Sequence, residues 1–501
     1  MKNITKLLFT LCAILVVQFS SGQNNGQNLE DHFVQGKIRI KIKEQYLLQD
    51  ITSQIPTTQS NGVTELGVTN IDRIGDNIGI TRINRVFPFS VKNEESHRKY
   101  GLHLWYEISF DSSIDPQNVI DRYSVLSEVE LAKAVYKKMR IDGDTDPKKI
   151  TVGQVKSAGQ APVSTRANSS NLVANNIEFN DPLLANQWHY NNDGTLGTAG
   201  MDIDLEKAWT KSTGSSNVIV AIVDGGIDVN HEDLNANIWV NEAELNGEDG
   251  VDDDMNGYID DFNGSNFVFS GSVTPHMHGT HVAGTVGAVS NNGIGVAGVA
   301  GGDGTGNGVR LMSCQVFDDR SSVSGNFAAA IVYGADNGAV ISQNSWGYTI
   351  PDYYEPEVLE AIRYFIAEAG QYEGSPMKGG IVFFAAGNDG LEQTHYPGSF
   401  EEVIAVTSLG PSGFPAPYTN YGAWTDIAAP GGDQSSFGEE GGVLSTLPGN
   451  SYGYFQGTSM SCPHVSGVAA LVVSKFGSAE FTANELNNII RNSTTGFVFD
   501  H

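Results

Sequence analysis

Two patterns of hydrophobic and polar positions divide this chain into an earlier and a later part. In the earlier part, residues 36–43 alternate strictly between polar and apolar side chains, which predicts a strand with one buried face. Further strands are predicted at 103–110 and 129–135, and the apolar spacing of 116–126 predicts a helix. These elements are typical of a small α+β domain, which we place at residues 23–141.

The later part alternates continuous apolar strands with helices. Residues 218–223 are uninterruptedly apolar, as in strands buried on both faces of a parallel sheet. We therefore predict an α/β domain at 177–501, with a mostly parallel central sheet flanked by helices and a ligand site at the carboxyl ends of its strands. The other predicted strands are 309–317, 339–342, 381–384 and 403–406, and the predicted helices are 281–289, 325–337, 356–369 and 482–492.

Two segments stand outside these domains. Residues 1–22 place two lysines before a short apolar run and a small-residue end, which is typical of a secretory signal peptide. That run is too short to span a membrane, and no later run is long enough. Residues 142–176 are polar and rich in Ser, Asn and Gly, which predicts an exposed linker. We expect a secreted protein (extracellular, periplasmic or on the cell surface) that acts as a monomer.

Charge is distributed unevenly over the 501 residues. Residues 23–141 carry 15 Lys and Arg against 15 Asp and Glu, whereas the chain from Asp142 onward carries 12 against 43. So acidic a surface repels phosphates, and nucleic acid is not an expected partner. The few cysteines provide no disulfide framework, and we expect Cys314 and Cys462 to be buried free thiols.

A candidate nucleophile lies in the run Gly-Thr-Ser-Met-Ser-Cys-Pro at residues 457–463. Small residues precede Ser459, and the apolar run that follows predicts a buried helix with Pro463 in its first turn. The helix dipole would favour negative charge near Ser459. Taken alone, the run fits a helix-capping serine equally well. It does not fit the Gly-x-Ser-x-Gly elbow of α/β-hydrolases, because Ser461 stands where the second Gly should be.

Polar side chains far upstream also lie at the ends of predicted elements. Asp224 directly follows the strand 218–223, while Asp228 is a rival carboxylate on the next loop. His278 begins the run His-Gly-Thr-His-Val-Ala-Gly, in which His281 is expected to pack inside the helix. A two-histidine metal site is the alternative interpretation, but the run lacks the Glu of a zinc-peptidase helix.

Two more strands end in candidate binding residues. Ala385-Ala386-Gly387-Asn388 places an amide after an apolar strand, where Asn388 could donate to an oxyanion or serve as a turn residue. The run Asn344-Ser345-Trp346-Gly347 also ends a strand and is expected to be an exposed edge.

Four runs of residues, in their order along the chain, resemble the motifs of the subtilisin-like serine peptidases, the subtilases. They are Val-Asp-Gly-Gly-Ile-Asp, His-Gly-Thr-His-Val-Ala-Gly, Ala-Ala-Gly-Asn and Gly-Thr-Ser-Met-Ser-Cys-Pro-His. The resemblance runs from about residue 180 to about 492 and implies a secreted serine endopeptidase acting on proteins or peptides. It implies that Asp224 orients His278, that His278 is the general base and then acid, and that Ser459 is the nucleophile. Asn388 and the Ser459 backbone N–H would hold the oxyanion. Substrate contacts by strand addition and at an apolar pocket are implied for Ser345, Trp346, Gly347, Ala385, Ala386 and Gly387.

The resemblance also implies that residues 23–141 are a propeptide, which assists folding and inhibits the enzyme until it is cut away. We expect the precursor to cut itself in the linker. The basic residues Lys133, Lys137, Lys138 and Arg140 would lie along an acidic groove. Narrow processing, broad degradation and a catalytically silent binding module on the same fold stay open.

An acidic loop lies between the first two candidate triad residues. Oxygen ligands recur at every other position before Gly257, as they do in Ca²⁺ loops, although Asn263 replaces the acidic residue that ends an EF-hand loop. A solvated acidic loop is the alternative, but subtilases commonly bind structural Ca²⁺. The candidate ligands are Asp252, Asp254, Asn256, Tyr258 and Asp260.

Overall fold

A computed structural model describes five segments of the chain. The signal peptide expected at 1–22 and the linker expected at 142–176 lie outside the described residues. We call the described residues up to 141 the N-terminal unit and those from 179 the C-terminal unit. The described segments are 29–47, 57–58, 64–141, 179–321 and 325–494.

The N-terminal unit is built on a four-stranded antiparallel sheet with the strand order β4-β5-β1-β6. The alternating pattern of β1 (Phe33–Ile42) directs Ile38 and Ile40 into a core shared with α3 (Pro116–Ser124). The three predicted strands and the helix are present, with ends that differ by at most three residues. The other elements are β2 (Thr57–Thr58), β3 (Thr64–Glu65), α1 (Thr69–Ile78), β4 (Arg82–Arg85), α2 (Glu94–Lys99), β5 (Trp105–Ser109), β6 (Val129–Tyr136) and β7 (Lys138–Arg140).

The C-terminal unit contains a seven-stranded parallel sheet with the strand order β15-β14-β13-β11-β8-β10-β9, which confirms the predicted α/β class. All five predicted strands are in this sheet. Its strands are β8 (Ile219–Gly225), β9 (Gly264–Asn266), β10 (Arg310–Phe317), β11 (Ile341–Asn344), β13 (Ile381–Ala385), β14 (Ile404–Leu409) and β15 (Ile427–Pro430), and β12 (Trp346–Tyr348), β16 (Val443–Leu447) and β17 (Ser451–Phe455) lie outside it.

Helices cover both faces of this sheet, which explains why β8 is apolar without interruption. Val220 and Ile222 of β8 belong to one core cluster, whereas Ala221 and Val223, which point the other way, belong to a second. The helices are α4 (Leu205–Trp209), α5 (Glu242–Leu245), α6 (Met277–Gly287), α7 (Phe327–Asp336), α8 (Pro356–Glu368), α9 (Gln434–Phe437), α10 (Thr458–Phe476) and α11 (Ala483–Asn492). The first cluster includes residues of α10 and α6, and the second includes residues of α7 and α8.

The N-terminal unit packs against α8 and pairs its last strand with the C-terminal unit. β7 lies antiparallel to β12, with Arg140 opposite Trp346 and Lys138 opposite Tyr348. The expectation that this segment is an exposed edge is therefore wrong for the described chain, because β7 covers it and Trp346 is fully buried. In the part of the chain that the structure describes, no helix is long and apolar enough to cross a membrane.

Candidate active site

Asp224 lies at the carboxyl end of β8 and is completely buried. Its Oδ1 accepts hydrogen bonds from the backbone N–H of Gly225 at 2.6 Å and from Nδ1 of His278 at 2.7 Å. A carboxylate on Nδ1 places the imidazole proton on that nitrogen and stabilises the ring when it gains a second proton. Nε2 of His278 is then the nitrogen that can accept a proton.

Helix α6 holds His278 by a contact that the sequence analysis did not single out. Helix α6 begins at Met277, four residues earlier than predicted, and His276 caps it by accepting the backbone N–H of His278 on Nδ1 at 3.1 Å. The helix start lies directly on the end of β8, since a Cβ at Gly279 would stand 1.9 Å from the carbonyl oxygen of Gly225. A glycine at 279 is therefore required for Asp224 and His278 to meet.

The rival residues make other contacts. Asp228 accepts the backbone N–H of Gly449 on Oδ2 at 2.8 Å and lies in a loop junction. Nε2 of His281 lies 3.0 Å from the carbonyl oxygen of Val443 and 3.1 Å from that of Gly453. Complete burial lowers the pKa of His281 to about 3, so it stays neutral and donates to these backbone acceptors. His281 is therefore a packing histidine in this structure.

Ser459 is the second residue of α10, and Gly457 precedes the helix with a φ of +144°. The prediction that Pro463 lies in the first turn is wrong, because the helix begins at Thr458 and places it in the second. Pro463 has no N–H to offer the carbonyl of Ser459, and the hydroxyl of Ser345 donates to that oxygen instead at 3.0 Å. This bond ties the start of α10 to the segment between β11 and β12.

Asn388 follows β13, and its side chain is held in one orientation. Its Oδ1 accepts both the backbone N–H and the hydroxyl of Thr458 at 2.9 Å, so Nδ2 points the other way. Nδ2 donates at 3.1 Å to the carbonyl oxygen of Ile141, and the hydroxyl of Ser459 contacts the same oxygen. One carbonyl thus lies between a hydroxyl and a fixed amide donor.

The described segment up to Ile141 occupies this site as an extended peptide. The backbone N–H of Ile141 donates to the carbonyl oxygen of Ser345 at 3.2 Å, which continues the β7–β12 pairing up to the serine. The side chain of Ile141 is buried in the core cluster that contains Ala385. Gly347 lies beside this segment, since a Cβ at Gly347 would stand 3.6 Å from Cδ1 of Ile141, and Ala385 belongs to the same core cluster as Ile141. The sequence analysis placed the cut in the linker and did not name Ile141.

The two cysteines that the structure describes are not candidates for nucleophilic attack. Cys314 and Cys462 are free and fully buried, as expected. Burial raises the pKa of both thiols far above the ordinary value, so neither forms a thiolate readily.

The acidic loop brings Asp254 together with two carboxylates that the sequence analysis did not name. Oxygens of Glu244, Asp254 and Asp261 lie within 4.8 Å of one another. Burial raises the pKa of Asp261 to about 6. Oxygen ligands of this kind suit a hard cation such as Ca²⁺.

The other predicted ligands contact backbone groups or lie beside the cluster. Asp252 accepts the N–H groups of Asn256 and Gly257, and Asp260 accepts that of Gly250. Asn256 donates to Asp261 at 3.0 Å. The backbone N–H of Tyr258 donates to Asn256 at 2.8 Å, and its ring lies 4.9 Å from that of Tyr333. In this structure, Asp254 is the one predicted ligand within the three-carboxylate cluster.

The chain is similar to known proteins over more than half of its length. The model of the subtilase family, Peptidase_S8, matches residues 215–500. A thermophilic serine proteinase of Bacillus sp. (strain AK1) is 35% identical over 269 residues, which are 54% of this chain and 55% of the relative. An extracellular basic protease of Dichelobacter nodosus is 32% identical over 344 residues, 64% of this chain and 52% of the relative. The chain thus spans about half the length of these relatives.

A solved structure extends the likeness of fold to the N-terminal unit. The crystal structure of fervidolysin from Fervidobacterium pennivorans, described as a keratinolytic enzyme related to subtilisin, aligns with a TM-score of 0.54 at 21% identity. The alignment covers 90% of this chain and 56% of that one.

Proposed function

This chain belongs to the subtilase family, and on that premise we propose that it is a serine endopeptidase with Asp224, His278 and Ser459 as its catalytic triad. The carbonyl of Ile141 carries the proposal. The contact of this peptide carbonyl with the Ser459 hydroxyl and with the Asn388 amide supports its role as the target of an acyl transfer.

The proposed reaction follows from these positions. His278 takes the proton of Ser459 as the oxygen attacks the peptide carbonyl, and the buried carboxylate of Asp224 stabilises the imidazolium. Negative charge develops on the carbonyl oxygen, where Asn388 and the backbone N–H of Ser459 donate to it. His278 then returns the proton to the leaving amine, and water releases the acyl group by the reverse sequence.

Labelling by a serine-directed fluorophosphonate tests the nucleophile. We expect the processed wild-type protein to be labelled and Ser459→Ala to stay unlabelled. Ser461→Ala, which removes a hydroxyl from the same helix, is the matched control and should be labelled as wild type is. An unlabelled wild type that is correctly folded would identify a silent binding module instead.

We also propose that the N-terminal unit is an inhibitory propeptide and that the bond after Ile141 is the one cut. β7 pairs with β12 where a substrate strand would lie, so it blocks the site. Residues from Asp142 onward would become the start of the mature chain, which agrees with the cleavage expected in the linker.

N-terminal sequencing after expression in a host that lacks other peptidases tests this proposal. The wild type should yield a chain that begins at Asp142, trimmed further where the polar linker is accessible. Ser459→Ala should accumulate as a chain that still carries the N-terminal unit. Processing of Ser459→Ala at the wild-type rate would show that another enzyme makes the cut.

Secretion is proposed on two grounds. Residues 1–22 have the pattern of a signal peptide. The relative from Dichelobacter nodosus is named an extracellular protease. Detection of the processed chain in the culture medium tests this.

Calcium is proposed as a structural ion in the acidic loop. The donor set fits a hard cation, since three carboxylates converge and Asp261 is buried. Glu244, Asp254 and Asp261 would hold the ion, with Asp252, Asn256, Tyr258 and Asp260 as the further ligands predicted from the sequence. Bound Ca²⁺ would offset the repulsion between these carboxylates and stabilise the loop.

A further inference from the structure

We propose that Glu355 makes this peptidase select Lys or Arg at the fourth residue before the cleaved bond. The inference rests on the proposed function, because the count begins at the carbonyl that contacts Ser459. It concerns the enzyme's substrates beyond its own N-terminal unit.

The strand register identifies the residue concerned. With Ile141 directly before the bond, Lys138 is the fourth residue before it. The β7–β12 pairing places Lys138 opposite Tyr348, inside the stretch where the bound chain follows the C-terminal unit. Only 2% of the Lys138 side chain is exposed, so its ammonium group is almost completely removed from water.

The pocket around Lys138 suits a cation. Its Nζ lies 2.7 Å from Oε2 of Glu355, with the ring centroids of Phe327 and Tyr348 at 5.1 and 5.2 Å. Aromatic faces attract a cation, most strongly where water is excluded. The carboxylate and both rings belong to the C-terminal unit, so they remain when the N-terminal unit departs.

Both units contact Glu355. It occupies the N-cap position of α8, where a negative charge is favoured, and its backbone N–H donates to the hydroxyl of Tyr348 at 3.2 Å. Its other oxygen accepts the backbone N–H of Tyr136, a residue of the bound N-terminal unit, at 2.8 Å. Only 1% of Glu355 is exposed. A carboxylate this deep strongly favours a cationic partner.

The N-terminal unit supplies two cations to this region, and a substrate can replace only one of them. Arg39 lies 2.8 Å from Glu357 and 3.6 Å from Glu355, and it comes from β1, away from the bound strand. Once the N-terminal unit leaves, a peptide lying along β12 can supply the position of Lys138. A basic side chain at the position of Lys138 restores the ion pair with Glu355, whereas a neutral side chain leaves the Glu355 carboxylate without that cation.

A peptide series on the processed wild-type protein tests the selection. The peptides carry the sequence of residues 136–143, with Lys, Arg, norleucine or Glu at the position of Lys138. We expect kcat/KM to be on the order of 10- to 100-fold higher for Lys and Arg than for norleucine, because norleucine cannot form the buried ion pair with Glu355. The Glu peptide should be the poorest.

Two variants separate Glu355 from the general acidity of the surface. In Glu355→Gln, the ratio of kcat/KM for the Lys peptide to kcat/KM for the norleucine peptide should fall to near one. Glu360→Gln is the matched control, because Glu360 pairs with Lys41 of the N-terminal unit at 2.7 Å but takes no part in the pocket. It should keep the wild-type ratio.

The outcomes separate the two proposals. Equal hydrolysis of the Lys and norleucine peptides by the wild-type protein overturns the proposed selection of a basic residue but leaves the peptidase proposal standing. This comparison uses the wild-type protein alone, so it does not depend on the folding of a variant. A wild-type ratio retained in Glu355→Gln assigns the preference to another residue. Hydrolysis of none of the peptides overturns the proposed function.

Discussion

His278 and His281 lie three residues apart on α6, yet their partners differ. His278 contacts the buried carboxylate of Asp224, which favours a protonated ring during a reaction. His281 faces two backbone carbonyls, which fit a neutral ring that donates one hydrogen bond. At the scale of the residue, the partner and not the residue type determines the expected role.

Substitutions at these residues should separate turnover from stability. His278→Ala and Asp224→Asn should each lower kcat by roughly four orders of magnitude while the circular dichroism spectrum is retained. His281→Ala should keep much of its turnover and lose about 1–3 kcal/mol in free energy of unfolding, because it leaves buried carbonyls without a donor. A folded but inert His281→Ala beside an active His278→Ala would reverse the assignment.

At the scale of the element, the acidic loop depends on a neighbouring helix. Glu244 lies in α5, and its Oε1 accepts the backbone N–H of Asp253 at 2.7 Å. Its Oε2 accepts that of Asp260 at 2.9 Å. Because α5 supplies an acidic side chain, the loop does not need one at Asn263, where the EF-hand pattern would place it.

Chelation should lower the melting temperature, and added Ca²⁺ should restore it. A free ion concentration of 100 times the Kd stabilises the native state by about 2.7 kcal/mol. Asp254→Asn should reduce this response, whereas Glu248→Gln, an exposed acidic position on the same loop, is the control and should not reduce it. Differential scanning calorimetry with and without chelator measures the shift. An equal response in both variants would argue against an ion at the cluster.

At the scale of the whole molecule, cations of the N-terminal unit meet carboxylates of the C-terminal unit. Lys99 lies 2.6 Å from Glu368 and Lys138 lies 2.7 Å from Glu355. In the basic tail, Lys138 and Arg140 each lie beside a carboxylate of the C-terminal unit, whereas Lys137 donates to a backbone carbonyl of its own unit. Charge therefore contributes to holding the units together.

Lower pH should release the N-terminal unit. Burial tends to raise the pKa of Glu368, but hydrogen bonds from Lys99, Tyr100 and Ser96 outweigh it and hold the pKa below the ordinary value. Those donors all belong to the N-terminal unit, so Glu368 favours docking above its ordinary pKa and loses that contribution as pH falls through the lowered value.

Size-exclusion chromatography of the processed protein between pH 7 and pH 3 measures this release. Glu368→Gln has no such charge to lose, so it should dissociate more readily at pH 7 and change less with pH. Identical pH profiles for wild type and Glu368→Gln would show that other groups control the release.

The sequence by itself determined the main strands and helices around the site and much of the candidate chemistry. Apolar runs and periods of two and of 3.6 residues mark strands and helices locally, so the elements that were predicted match the observed ones to within four residues at their ends. Short strands such as β7, β9 and β15 were not predicted. Asp224 and Asn388 were found because they directly follow buried strands, and parallel strands bring their carboxyl ends to one edge of the sheet. Their catalytic roles stay predictions.

Only the tertiary structure decided which distant residues meet. The contact of Ile141 with Ser459, the pairing of Lys138 with Glu355 and the approach of Glu244 to the acidic loop each depend on how separate elements pack. A local pattern records the side of an element that is buried, but not the partner that buries it. These contacts join elements that the chain itself keeps apart, and they identify the candidate cleavage bond and the candidate specificity pocket.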